Sequence, residues 1–225
     1  MKIIFSLLIC SLVFLSACSS TQRAYQQNIK LYFSSKDNVT LNKESVLTSP
    51  VDLLYIKAGE RPYVTLALAF IENSQYKWVS ADDAVMITQN GRLVRTLGLD
   101  NNLIYVDNLD NDPMASKSNI TENATWNSYL DLDPQQYGVK LHSSFSRESN
   151  IPLAILEQQF LTIKITEYVT TQDALGNTEN WQNEYWYHMQ SGQLLRSSQQ
   201  FSGLTERYDM QYVSRAMRLL ETAND

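Results

Sequence analysis

The chain has 225 residues, with 18 basic and 24 acidic side chains, a formal net charge of −6 and only two cysteines. An acidic balance without a basic cluster excludes the positive footprint that nucleic acid requires, and it argues against charge-driven attachment to anionic lipid. Seven glycines, five prolines and no low-complexity tract leave no visible linker, while 13 tyrosines and 4 tryptophans among abundant Thr and Val favour strands.

The first element is a leader. Lys2 supplies its positive charge, and Ile3 to Leu15 is apolar apart from Ser6, Cys10 and Ser11. That run has the length of a signal-peptide core and falls short of the roughly 20 residues of a spanning helix. Leu15-Ser16-Ala17-Cys18 resembles the bacterial lipobox, whose cysteine carries a diacylglycerol on sulfur and an acyl chain on the amine freed by cleavage. The competing reading is a chance Ala-Cys inside a plain signal peptide. Cys10 leaves with the leader and lipid occupies Cys18, so no disulfide is available and the core must supply stability. Two or more acyl chains, at about 0.8 kcal/mol per buried CH₂, hold a protein stably on a membrane. Ser19 follows the cysteine where, in bacterial lipoproteins, an Asp commonly signals inner-membrane retention, which favours the outer membrane. The expected division is a signal peptide over 1–17, a lipidated tether and helix over 18–35, and one β-rich periplasmic domain over 36–225.

Residues 21–35 place Tyr25, Ile29, Tyr32 and Phe33 on one helical stripe. After them the period changes to two. In RPYVTLALAFI (61–71), Val64, Leu66, Leu68 and Phe70 fill one face, and Thr65, Ala67, Ala69 and Ile71 form a thin second face suited to the N-terminal helix. Asn90-Gly91 separates two β-rich runs, the strongest short hairpin signal. Residues 107–128 read as a polar loop whose aspartates are solvated. Three alternating strands follow: Tyr137, Val139, Leu141 and Phe145; then Leu161, Ile163, Ile165 and Val169; then Trp181, Tyr185, Tyr187 and Met189. Turns are expected at Gly176-Asn177 and Gln190-Ser191-Gly192. Leu204, Tyr208, Met210 and Tyr212 mark a last strand, and residues 214–225 a short helix with Ala216, Met217, Leu219 and Leu220 apolar. The fold class is all-β, a long antiparallel meander curved or folded on itself.

No complete catalytic constellation emerges. A calcium-hand loop needs Gly at its sixth position and Glu at its twelfth; counted from Asp107 these hold Asp112 and Ser118. Zinc is disfavoured by two histidines 46 positions apart without a free cysteine. His142 and His188 lie on polar strand faces. Asp131 and Asp133 share a face if extended, and a carboxylate pair is all that a polysaccharide hydrolase needs. Trp186 and His188, on one strand face with Glu184, are candidate sugar contacts; the alternative is that Trp186 covers the rim of a curved sheet. No cofactor or metal is expected.

KWVSADDAVMITQNGRLVRTLGLDNNL (77–103) and NWQNEYWYHMQSGQLLRSSQ (180–199), together with the lipobox, resemble the YjbF/GfcB family of bacterial lipoproteins, associated with group 4 capsule and related exopolysaccharide secretion. The likeness runs from about Val51 to Tyr212 and is weaker over 104–125 and after Ser214. It implies a β meander, an outer-membrane location facing the periplasm, other polysaccharide-export proteins as partners, and no catalytic residues to carry over. The expected function is a non-enzymatic accessory factor in capsule or exopolysaccharide export. A carrier holding an acyl chain in a curved-sheet cavity is the alternative, and an enzyme using Asp131 and Asp133 is the competing class.

Overall fold

The structure, a computed structural model, describes residues 41–133, 136–172, 176, 178–201 and 206–222. Cys18 and the helix expected over 21–35 lie outside these residues. Twelve strands form one sheet: β1 (Leu53–Ala58), β2 (Val64–Glu72), β3 (Gln75–Val79), β4 (Val85–Gln89), β5 (Arg92–Leu97), β6 (Asn102–Val106), β7 (Thr125–Asp133), β8 (Gln136–Ile155), β9 (Gln158–Gln172), β10 (Thr178–His188), β11 (Leu194–Gln199) and β12 (Tyr208–Gln211). Their spatial order is β5-β4-β3-β2-β1-β12-β11-β10-β9-β8-β7-β6.

That order is a meander with one long-range join. Every neighbouring pair is consecutive in sequence except β1 and β12, which meet antiparallel with Tyr55 opposite Gln211 and Ile56 opposite Met210. The two edges, β5 and β6, are themselves consecutive. At their seam the Leu103 N–H donates to Thr96 Oγ1 at 2.9 Å. The sheet is thus nearly closed, and each edge strand faces the other instead of standing apart as an open edge that invites pairing with other chains.

Alternation decides what lies inside. Along β7, Trp126, Ser128, Leu130 and Leu132 are buried while Thr125, Asn127, Tyr129 and Asp133 are exposed. The same parity along other strands brings Ile56, Leu66, Trp78, Ile165, Tyr185 and Met210 into one core. Irregularities at Ile87/Thr88, Leu103/Tyr105 and Trp186/Tyr187 bend the sheet towards closure.

Among the described residues, two α-helices lie outside the sheet. α1 (Lys43–Leu47) starts at Asn42, whose side chain accepts from the Ser45 N–H while Ser45 Oγ accepts from the Asn42 N–H. α2 (Val213–Thr222) packs on β1 and β11, and α1 packs on α2. Leu53, Leu195, Ala216 and Met217 are buried there, and the Leu53 N–H donates to Ser214 Oγ at 2.8 Å. On the second face of β2, Ala67 and Ala69 are buried and Ile71 is exposed.

The polar stretch departs from expectation. It ends at residue 124, and Trp126 and Ser128 belong to β7. Its expected solvated acidic character holds for Asp110 but not for Asp112, which is 3% exposed. Two 3₁₀ turns, Leu109–Asn111 and Pro113–Asn119, fold the connection inward and seat Met114 and Ile120 in the core.

Candidate functional site

The tightest polar arrangement begins at the β4–β5 turn. Asn90 and Gly91 take φ of 52° and 88°, the left-handed pair that a two-residue hairpin needs. The turn places Arg92 at the start of β5 with its guanidinium buried. Arg92 Nε donates to Asp112 Oδ2 at 2.7 Å and Nη2 to Asp112 Oδ1 at 3.1 Å, a two-pronged pair. Nη1 donates to Glu167 Oε2 at 2.9 Å, and Cζ lies 4.2 Å from the centre of the Trp126 ring.

Glu167 is saturated from neighbouring strands. Ser143 Oγ of β8 donates to it at 2.7 Å and Asn183 Nδ2 of β10 at 3.0 Å. The Tyr185 hydroxyl lies 3.2 Å from Glu167 and 3.3 Å from Gln199 Oε1. Gln199 in turn accepts from the Leu93 N–H at 2.9 Å and donates to the Gly91 carbonyl at 2.8 Å. Burial pushes the Glu167 carboxyl up, but Arg92 and the Ser143 and Asn183 donors more than offset it, leaving the group below the usual carboxylate range. Burial likewise opposes the charge on Arg92, and Asp112 and Glu167 overcome it, so the guanidinium stays charged.

Chemically, this cluster fastens rather than reacts. Each charge is engaged by another, and the adjoining void is about 20 Å³, room for little more than a water. It ties the 107–124 connection, the β4–β5 turn and strands β8 to β11 to one point.

The residues singled out in the sequence lie elsewhere. Trp186 is on the outer face, 8% exposed, with Arg196 Cζ 4.8 Å and Lys164 Nζ 5.6 Å from its ring centre. His188, two positions on, engages Ser191 Oγ of the β10–β11 turn at 2.9 Å, and burial lowers its pKa. His142 is exposed and bonds Asn127 Oδ1 at 2.8 Å. Asp131 accepts from the Gly138 N–H at 2.7 Å, and Asp133 is exposed on the same outer side of β7. Ser143, Glu167 and Asn183 escape a reading that follows only apolar residues. Each is the polar break in an apolar inward row, and that parity is the signal that finds them.

A second feature lies beyond the far end of β5, where Gly98 to Asn101 turn into β6. A cavity of about 390 Å³ opens there, with Ile56, Leu66, Met86 and Tyr208 among its inner walls and Arg61, Asp82, Asp100 and Glu206 at its mouth.

Comparison with known proteins agrees with the meander. The family described as "Group 4 capsule polysaccharide lipoprotein gfcB, YjbF" matches residues 26–213. Two relatives from Escherichia coli K12 are uncharacterized lipoproteins: GfcB, 28% identical over 83% of this chain and 87% of its own length, and YjbF, 30% identical over 88% and 90%. The crystal structure of the hypothetical lipoprotein YmcC from Escherichia coli K12 superposes with a TM-score of 0.73 at 26% identity, covering 82% of this chain and 92% of that one. With the family profile spanning most of the chain and the same nearly closed antiparallel sheet beneath it, this protein belongs to the YjbF family of group 4 capsule lipoproteins.

Proposed function

We propose that the protein is anchored through lipid on Cys18 to the outer membrane, faces the periplasm, and serves as a non-enzymatic accessory to capsule or exopolysaccharide export. The family match over residues 26–213 carries this reading. The buried charges support it, because Arg92, Asp112 and Glu167 neutralise one another instead of facing an open cleft. Its partners are other export proteins. Sugar contact is assigned to the outer face of β6 to β10, where Tyr105, Tyr129 and Tyr168 are exposed among Asn127, His142 and Gln182. Trp186 and His188 lie on β10, where Lys164 and Arg196 flank the indole and leave it 8% exposed.

Surface polysaccharide in a deletion strain, complemented with each variant, tests this. Cys18→Ser should lose export and Asp131→Asn or Asp133→Asn should keep it. Full export by the untethered protein would overturn the anchored-accessory reading. The end cavity favours a second reading, a carrier of an apolar ligand.

A further inference from the structure

We propose that the cavity beyond β5 binds a compact aliphatic ligand whose polar end donates hydrogen bonds and carries no negative charge, an alkylamine in preference to a fatty acid. The inference rests on the carrier reading and specifies its ligand.

Volume and walls set the body of the ligand. A cavity of about 390 Å³ lies in the range of small-molecule sites, roughly 300–1,000 Å³. Ile56, Leu66 and Met86 line it with apolar side chains, and all three belong to the main core. The aliphatic walls suit an alkyl chain better than a sugar ring, which would need hydrogen-bond partners throughout its depth.

The mouth sets the head. Asp82, Asp100 and Glu206 stand against a single cation, Arg61, and Arg61 is already held by Glu206 at 2.9 Å. An entering carboxylate or phosphate therefore meets uncompensated negative charge, whereas an ammonium is attracted.

Tyr208 supplies a hydroxyl. The residue is 5% exposed and lines the cavity. Burial, with Glu206 and Asp100 nearby, raises its pKa against a smaller opposing effect of Arg61, so it stays protonated at neutral pH. Its oxygen can accept from an ammonium or hydroxyl entering at the level of Asp100.

The test uses residues 18–225 carrying Cys18→Ser, which removes the lipid-bearing thiol, titrated with 1-hexylamine, 1-hexanol or hexanoate while the methyl signals of Ile56, Leu66 and Met86 are followed. Hexylamine should bind at least tenfold more tightly than hexanoate, with hexanol between them. Asp100→Asn, at an exposed position, should narrow that gap, and Tyr208→Phe should weaken the amine and alcohol while leaving hexanoate unchanged. Hexanoate binding as well as hexylamine would overturn this inference and leave the carrier reading standing. Failure of all three probes to shift those methyls would overturn both, and the export role would be untouched.

Discussion

Arg92 Nη1 and Glu167 Oε2 stand 2.9 Å apart, with side chains 6% and 1% exposed, although the two residues are 75 positions apart in sequence. This contact joins the opening residue of β5 to the middle of β9. Removing the cation strands two buried carboxylates, and breaking a buried pair in this way costs about 3–5 kcal/mol. Arg92→Met should lower stability to urea by that amount. Glu167→Gln should cost less, because Asp112 still neutralises Arg92 and an amide oxygen still accepts. Equal losses would contradict the asymmetry.

Acid should weaken the fold through the same carboxylate. Glu167 has a folded-state pKa below its unfolded value, so its stabilisation is complete above the ordinary glutamate pKa. It is lost as pH falls from there through the depressed value. Wild-type stability should therefore decline below about pH 4.3, the ordinary glutamate value, and Glu167→Gln should flatten part of that decline. An unchanged acid profile in the variant would contradict this.

Alkali acts on the buried tyrosines. Burial raises the pKa of Tyr185, Tyr187 and Tyr212 above the ordinary value. Their contribution is present below about pH 10, the unfolded tyrosine value, and is lost as pH rises beyond it. Absorbance titration should show a group of tyrosines that ionise only when the protein unfolds.

Gly91→Ala tests the turn. The residue has φ of 88°, and a Cβ there would stand 2.3 Å from Leu194 Cδ2. Leu194 can swing away, but the backbone cannot change hand, so a loss of about 1–3 kcal/mol is expected. Adding Leu194→Ala should not restore stability; full rescue would assign the loss to the clash.

The exposed tyrosines test the sugar-contact surface. Tyr105→Ala, Tyr129→Ala and Tyr168→Ala should each cost on the order of 0.5–1.5 kcal/mol of binding, by analogy with aromatic pairs, and the triple variant should lose retardation in polysaccharide-containing gels. Trp186→Ala should do less, since Arg196 and Lys164 flank its ring. Unchanged mobility of the triple variant would remove this surface from the proposed function.

Strand alternation, the Asn90-Gly91 turn and the Ala216-Met217 stripe of α2 were legible in the sequence because each is set by residues within a few positions of one another. The sequence also carried the family likeness over the two long motifs. It did not reveal that the acidic stretch at 107–112 turns inward. Asp112 looks like Asp110 by composition, yet Asp112 is buried against Arg92 and Asp110 is exposed. Ser143, Glu167 and Asn183 were visible as polar breaks in apolar rows, but their meeting depends on the register of β8, β9 and β10, in which Asn183 faces Glu167 and Ser143 sits diagonally across. The end cavity has no sequence signature, because its walls come from both ends of the chain and close only when β1 pairs with β12. Local pattern fixes which side of a strand is apolar, whereas only closure of the sheet decides which polar groups must share the inside and find partners there.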